Sequence, residues 1–217
     1  MIGQNTSHAV MARRIEARDS LDDFPTPPWA TRALIEFGPD ALSKEASVRE
    51  PCAGRGHMVR ALGEYFGPEN VEAADVHDYG AGFAVRDYLA GPPPAPVDWT
   101  ITNPPFRLAE SIAHRALASS RCGVALLVRT AFLEGVRRFE TLFTPRPPTE
   151  VMQFVERVPM LRGRLDPKGS TATSYCWLVW LRSGERWQPW HIPPRLVWIP
   201  PCRKRLEMES DYAPASP

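Results

Sequence analysis

The run "ASVREPCAGRGHMVRALGEYFG", residues 46–67, constrains the fold more than any other stretch of the chain. A few extended, apolar residues give way to Gly54 and Gly56, and an amphipathic helical pattern follows at once. Glycine is the residue that lets a backbone turn tightly between strand and helix and approach a ligand closely. The same rhythm continues downstream. "NVEAADVHDYG" reads as a second short strand ending in acids, and "VDWTITNPPF" as a third, after a Pro-rich connector. "RLAESIAHRALASSRCG" reads as a helix with Leu108, Ile112, Ala116 and Leu117 on one face and a stop at Gly123. "VALLVRTAF" is apolar throughout rather than alternating, the pattern of a strand covered on both faces. Strands alternating with helices predict an α/β fold with a mostly parallel sheet. A helix is expected around "LEGVRRFETLF"; "EVMQFVERVPML" and "SYCWLVWLR" then have no room for a helix between them and predict an antiparallel hairpin at the sheet edge. Ahead of the glycine turn, "DFPTPPWATRALIEFG" predicts a helix opened by Pro27 and Pro28, with Thr26 as its cap and Gly38 after its end.

The 217 residues suit one domain, expected over 21–200, with an arm at 1–20 and a solvated tail at 201–217. The longest apolar run, around "GVALLV", falls well short of the ~18 residues that a membrane helix needs, and the N-terminal sequence lacks the apolar core of a signal peptide. Cys52, Cys122, Cys176 and Cys202 are scattered without a C-x-x-C pair, which argues against a zinc site or disulfide framework and suits a reducing cytoplasm. The net charge of +1 conceals a division. Residues 1–100 carry 9 Lys/Arg against 15 Asp/Glu, net −6, and residues 101–217 carry 17 against 10, net +7. A basic second half is compatible with a polyanionic partner. Trp177, Trp180, Trp187, Trp190 and Trp198 are read as packing residues.

In an open α/β sheet the ligand binds beyond the carboxyl ends of the strands, so the residues ending each strand are the candidates for chemistry. Asp75 ends the second strand, where a carboxylate can accept from both hydroxyls of a ribose; Asp87, after the next connector, could accept from an adenine amine. No third glycine completes a G-x-G-x-x-G, because the turn continues His57-Met58-Val59. That favours a nucleoside cofactor without a pyrophosphate, S-adenosylmethionine rather than a nicotinamide dinucleotide.

Asn103-Pro104-Pro105-Phe106 ends the third strand and should face the same crevice as Gly54, Asp75 and Asp87. Pro-Pro alone decides nothing in a chain with 24 prolines, and it is the placement that carries meaning. The Asn103 amide oxygen and the Pro104 carbonyl could both accept from one NH2 group. Holding both hydrogens favours a pyramidal nitrogen and stabilises the positive charge that develops when a methyl group is attacked. Phe106 can stack on the target ring, and a base taken from a duplex must be flipped to reach such a pocket.

The ordered set "DFPTPPW", "EPCAGRGHMVRAL", "AADVHDYG", "RDYL" and "TITNPPF" resembles class I S-adenosylmethionine-dependent methyltransferases that act on exocyclic amines. Among these it is similar to the phage- and prophage-type DNA adenine-N(6) enzymes, over about Asp23 to Arg182. The resemblance implies a single-domain, Rossmann-like fold with a seven-stranded sheet and methyl transfer to adenine in DNA. It implies that Phe24, Thr26 and Pro27 contact the methionine end of the cofactor and that Glu50, Cys52, Gly54 and Gly56 form the glycine-rich loop. Asp75 and Asp87 match the ribose and adenine acids, and residues 103–106 the catalytic tetrapeptide. Cys52 stands where most relatives have Ala or Ser. Thr102-Asn103 replaces the Asp-Pro-Pro start of many DNA adenine enzymes, which keeps open an RNA base amine or a protein glutamine as the target. A catalytically silent nucleic-acid-binding module of the same fold is the rival of a different class. "RGRLDPKGSTATSY" places Arg162, Arg164 and Lys168 between the two C-terminal strands, as phosphate contacts or as an ordinary solvated loop. The chain has no room for a large target-recognition domain, so short or relaxed sequence specificity is expected.

Overall fold

The computed structural model describes residues 22–213, apart from 184, 185, 188, 190 and 191. Nine strands form one sheet: β1 (Val48–Glu50), β2 (Val71–Asp75), β3 (Ala84–Val85), β4 (Val97–Thr102), β5 (Ser120–Arg129), β6 (Glu150–Phe154), β7 (Tyr175–Ser183), β8 (Arg186–Trp187) and β9 (Arg195–Ile199). Their spatial order is β3-β2-β1-β4-β5-β7-β6-β9, with β8 paired to β7. The strands from β3 through β5 are parallel, whereas β7 runs antiparallel to both β5 and β6. The chain order reverses where β1 lies between β2 and β4, so the carboxyl ends of β1 and β4 meet side by side. That is the switch point at which open α/β sheets bind ligands.

The alternation of side chains along a strand builds two cores. In β5, Ala125 and Leu127 face one cluster while Val124, Leu126 and Val128 face the other; in β7, Trp177 and Val179 oppose Cys176, Leu178 and Trp180. Helix α1 (Pro28–Phe37) and helix α2 (His57–Phe66) cover the first face through Trp29, Leu34, Met58 and Leu62. Helix α3 (Ala109–Ser119) covers the second through Ala109, Ala113 and Leu117. Both faces are therefore dry, which is why β5 has no polar alternation.

Several expectations need correction. The hairpin of β6 and β7 forms, but it is not the edge: β9, a strand that the sequence reading did not separate, lies parallel beyond β6. With the two-residue β3 and β8, the strand count is nine rather than seven. Gly123 does not stop α3. It lies inside β5, where a Cβ would come within 2.4 Å of the Trp99 ring. Thr26 makes no cap for α1; Pro27 occupies that position and the Thr26 hydroxyl serves elsewhere. The helix expected at 133–143 is a 3-10 turn (Thr130–Leu133), a single turn α4 (Val136–Arg138) and a π turn (Phe139–Phe143). Trp177 and Trp180 are buried, each donating its indole N–H to a carbonyl, that of Ala30 and of Arg146 respectively. Trp198 is 61% exposed and is no packing residue. Trp190 and the arm at 1–20 lie outside the described residues.

Residues 202–212 are not a solvated tail. Helix α5 (Arg203–Leu206) and the turn at Glu209–Tyr212 dock against α1 and α2, with the Arg32 guanidinium at the centre of the contact. Arg32 donates to both oxygens of Asp211, to both oxygens of Glu64 and to the Leu206 carbonyl. Asp211 is 1% exposed. Burial acts to lower the Arg32 pKa, but hydrogen bonding to Glu64 and Asp211 holds the guanidinium well above its ordinary value. Removing Asp211 leaves Arg32 paired with Glu64 but takes away two charge-assisted hydrogen bonds, at a cost of about 2 kcal/mol. Asp211→Ala should therefore lower the unfolding free energy by roughly 2 kcal/mol in urea titration, whereas Arg205→Ala, on an exposed pair with Glu36, should leave it nearly unchanged.

Candidate functional site

Glu50 closes β1 and points into the switch-point crevice. Its Oε1 accepts the Cys52 N–H at 2.9 Å and the Thr102 hydroxyl, so the ends of β1 and β4 are tied by one carboxylate. Its Oε2 is buried and meets no donor among the described residues. Burial pushes the Glu50 carboxyl up to about 8, with the hydrogen bonds from Thr102 and Cys52 opposing the shift.

The glycine turn follows. Gly54 and Gly56 have positive φ (52° and 82°), and a Cβ at Gly56 would come within 2.8 Å of the Phe83 ring, so conformation and space both require glycine there. The Gly54 N–H donates to Asp75 Oδ2 at 2.8 Å, and Asp75 Oδ1 accepts the His77 N–H at 3.0 Å. Asp75 thus braces the turn while keeping lone pairs on both oxygens.

Asn103 stands one residue beyond β4. Its Nδ2 donates to the Phe24 carbonyl and to Thr26 Oγ1, both at 3.0 Å, and contacts Met160 Sδ at 3.9 Å. A carbonyl can only accept, so the amide has one orientation: the nitrogen faces residues 24–26, and Oδ1 is left as an acceptor that no donor of the described residues engages. Phe106 is fixed by its own N–H, which donates to Asp22 Oδ2 at 2.7 Å.

These groups wall two hollows. The first, of about 90 Å³, is lined by Thr26, Glu50, Gly54, Asp75, Tyr79 and Asn103, among others. Arg55 spans its side, paired with Asp23 at 3.0 Å and lying 5.4 Å from the centre of the Tyr79 ring. The second, of about 460 Å³, is lined by Phe24, Phe106, Arg129, Met160, Thr173 and Tyr175. Asp22 and Phe24 belong to both. Residues 22 and 24 therefore stand between a small hollow walled by the glycine turn, Glu50 and Asp75 and a larger one walled by Phe24, Phe106 and Tyr175.

Most of the expected residues converge. Phe24, Thr26, Glu50, Cys52, Gly54, Asp75, Asn103 and Pro105 line the first hollow, and Phe106 the second. Pro27, Gly56 and Pro104 line neither hollow. Asp87 does not share the crevice: it is exposed, accepts the Leu89 N–H at 2.9 Å to close its own turn, and faces a separate hollow beside Arg49 and Tyr88. Arg162, Arg164 and Lys168 are exposed on the β6–β7 connection, which the Gly163 N–H ties to the Asp23 carbonyl at 2.8 Å. Asp22, Tyr79, Arg129 and Met160 went unpredicted: the last three lie in stretches read as strands, where nothing local marks a side chain that faces the crevice. Burial lowers His57, at the start of α2, to about 4, helped by Arg60 and Arg55. Among the described residues no His, Cys, Asp and Glu cluster could hold a metal ion, and no helix is long and apolar enough to cross a membrane.

No known family and no curated protein matches the chain by sequence. Solved structures do match its fold. A putative class I S-adenosylmethionine-dependent methyltransferase from Listeria monocytogenes superposes with a TM-score of 0.60 at 13% identity, covering 88% of this chain and 69% of that one. A modification subunit of a putative type I restriction enzyme from Vibrio vulnificus gives 0.55 at 14%, covering 89% and 50%. The type I restriction-modification methyltransferase subunit from Streptococcus thermophilus gives 0.50 at 13%, covering 76% and 45%. This chain spans half or less of the two restriction subunits. The fold is that of class I S-adenosylmethionine-dependent methyltransferases.

Glu50 yields a pH test. A carboxyl raised in the folded state from 4.5 to about 8 contributes stability that is fully present below pH 4.5 and is lost as pH rises through about 8. The ligand-free protein should lose stability between pH 5 and pH 8, and Glu50→Gln, which stays neutral, should flatten that fall in paired urea titrations.

Proposed function

We propose that the chain is an S-adenosylmethionine-dependent methyltransferase acting on the exocyclic amine of adenine in DNA. The observation that carries this reading is the Asn103 amide in the wall of the first hollow, locked with its nitrogen toward residues 24–26 and its oxygen free.

The residues present fit the cofactor. The unpartnered Glu50 Oε2 is an acceptor with no internal donor, and an ammonium group of the methionine moiety would satisfy it. A carboxylate left unpaired in a dry site is costly, whereas one paired with a cation is not. Asp75 keeps lone pairs for ribose hydroxyls, and the Gly54–Gly56 turn lets the backbone come close. When bound, S-adenosylmethionine supplies an electrophilic methyl group on its sulfonium. Thr26, Phe24 and Met160 hold the Asn103 amide in register, so Asn103 Oδ1 accepts a hydrogen from the target amine as positive charge grows on nitrogen. Phe106 stacks on the target ring. No side chain needs to remove a proton before transfer, because the methylated nitrogen is acidic enough to release it afterwards.

The nucleic-acid part of the reading is supported by the exposed cations of the β6–β7 connection, by exposed Arg107 beside Phe106, and by the aromatic walls of the second hollow. Purified protein with labelled S-adenosylmethionine and separate DNA, RNA and protein substrates should place label in DNA as methyladenine. Asn103→Ala should lower kcat by about 10²-fold or more with cofactor affinity retained. Label in RNA or in protein glutamine would reassign the substrate, and cofactor binding without label anywhere would favour the silent module. Replacing Arg162 and Arg164 together with Ala should weaken DNA binding and lower the slope of log K against log salt by roughly 0.9 for each phosphate no longer neutralised. Unchanged binding across salt would remove both residues from the interface.

A further inference from the structure

Arg129 is the last residue of β5, beside the end of β4 that carries Asn103, and the proposed mechanism does not use it. Its guanidinium carbon lies 3.6 Å from the centre of the Phe106 ring and 5.9 Å from that of Phe24. The shorter distance is that of two flat groups in stacking contact, so the guanidinium covers a face of the ring to which the proposed function assigns target stacking. It lines the larger hollow together with Phe24, Phe106 and Tyr175.

What holds Arg129 there is weak. No carboxylate of the described residues pairs with it: Asp22, close by, accepts the Phe106 N–H instead. Its polar neighbour is the uncharged Tyr175 hydroxyl. Its Nε is buried without an acceptor. A partly buried guanidinium held by an aromatic face, with a donor unsatisfied, is set to exchange that contact for a better one. An arriving purine ring offers Phe106 a larger flat partner, and the nucleotide that brings the ring also brings a phosphate, the acceptor that a guanidinium binds best.

Resting on the reading of a flipped adenine as target, we propose that Arg129 is a place-holder in the target cavity. In the absence of substrate it stacks on Phe106 where the base will stand; when the base enters, it swings off the ring and pairs with a phosphate flanking the extruded nucleotide. Arg129 is thus a positioning residue that couples occupation of the pocket to a grip on the backbone, and it disfavours bare nucleosides, which must displace it with no phosphate to offer.

This predicts effects of opposite sign on two ligands. With the first hollow saturated by S-adenosylhomocysteine, calorimetric titration of Arg129→Met should show adenosine binding about threefold tighter than wild type, because the competing stack is gone. The same variant should bind a short adenine-containing DNA duplex about tenfold more weakly, with the salt slope reduced by roughly 0.9, because one phosphate is left without its cation. Arg129→Lys, which keeps the charge and loses the flat stack, should gain for adenosine and hold its DNA affinity to within about threefold. Both ligands weakening together would mark a merely structural residue, and both unchanged, or a wild-type protein that binds no DNA, would overturn the proposal. Failure of S-adenosylhomocysteine to bind would count against the cofactor reading instead, and the DNA titration and its salt slope would still decide the role of Arg129.

Discussion

The site depends on one contact above all, the clamp on the Asn103 amide by the Phe24 carbonyl and the Thr26 hydroxyl. It joins the segment before α1 to the end of β4, far apart in sequence, and it sets the orientation of the amide. Without it Asn103 would be a mobile polar side chain at a strand end, free to present nitrogen or oxygen. The Asp22 carboxylate on the Phe106 N–H and the Gly163 N–H on the Asp23 carbonyl extend the same segment, so residues 22–26 act as a hub between the first hollow, the second and the β6–β7 connection.

A second tension lies beneath that hub. Glu50 joins β1 to β4 through Thr102 and is buried with one oxygen unpaired. A protein optimised only for stability would place a neutral residue there, because a desolvated carboxylate is expensive. Keeping the acid makes the crevice a poor solvent for a negative charge and a good one for an incoming cation. Arg32 is the opposite case: its charge is fully compensated by Asp211 and Glu64, and its effect is to anchor the C-terminal segment against α1.

Much of this could be read in the residues alone where local physics is decisive. The unbroken apolar run of β5 announced a sheet covered on both faces, and Gly54 and Gly56 announced the tight strand–helix turn, because neither feature needs knowledge of distant contacts. Gly123 was misread for the same reason in reverse. A glycine that ends a helix and one that makes room for the Trp99 ring are identical in sequence, and only the packing separates them. Strand β9 was missed because a short run between prolines has no pattern of its own and exists by pairing with β6. Asp87 looked like a crevice acid from its place in the order of strands, yet its carboxylate is engaged in its own turn.

The chain by itself determined the α/β class, the position of the glycine turn and the strand-end residues that line the first hollow, since periodicity, glycine conformation and proline are local constraints. Tertiary structure decided which way the Asn103 amide faces, that Glu50 keeps an unpartnered oxygen, that Arg129 lies on Phe106 and that the C-terminal segment docks on Arg32. Each of these depends on groups brought together across many residues of chain, and the distances and burial that give them meaning exist only once the sheet has formed.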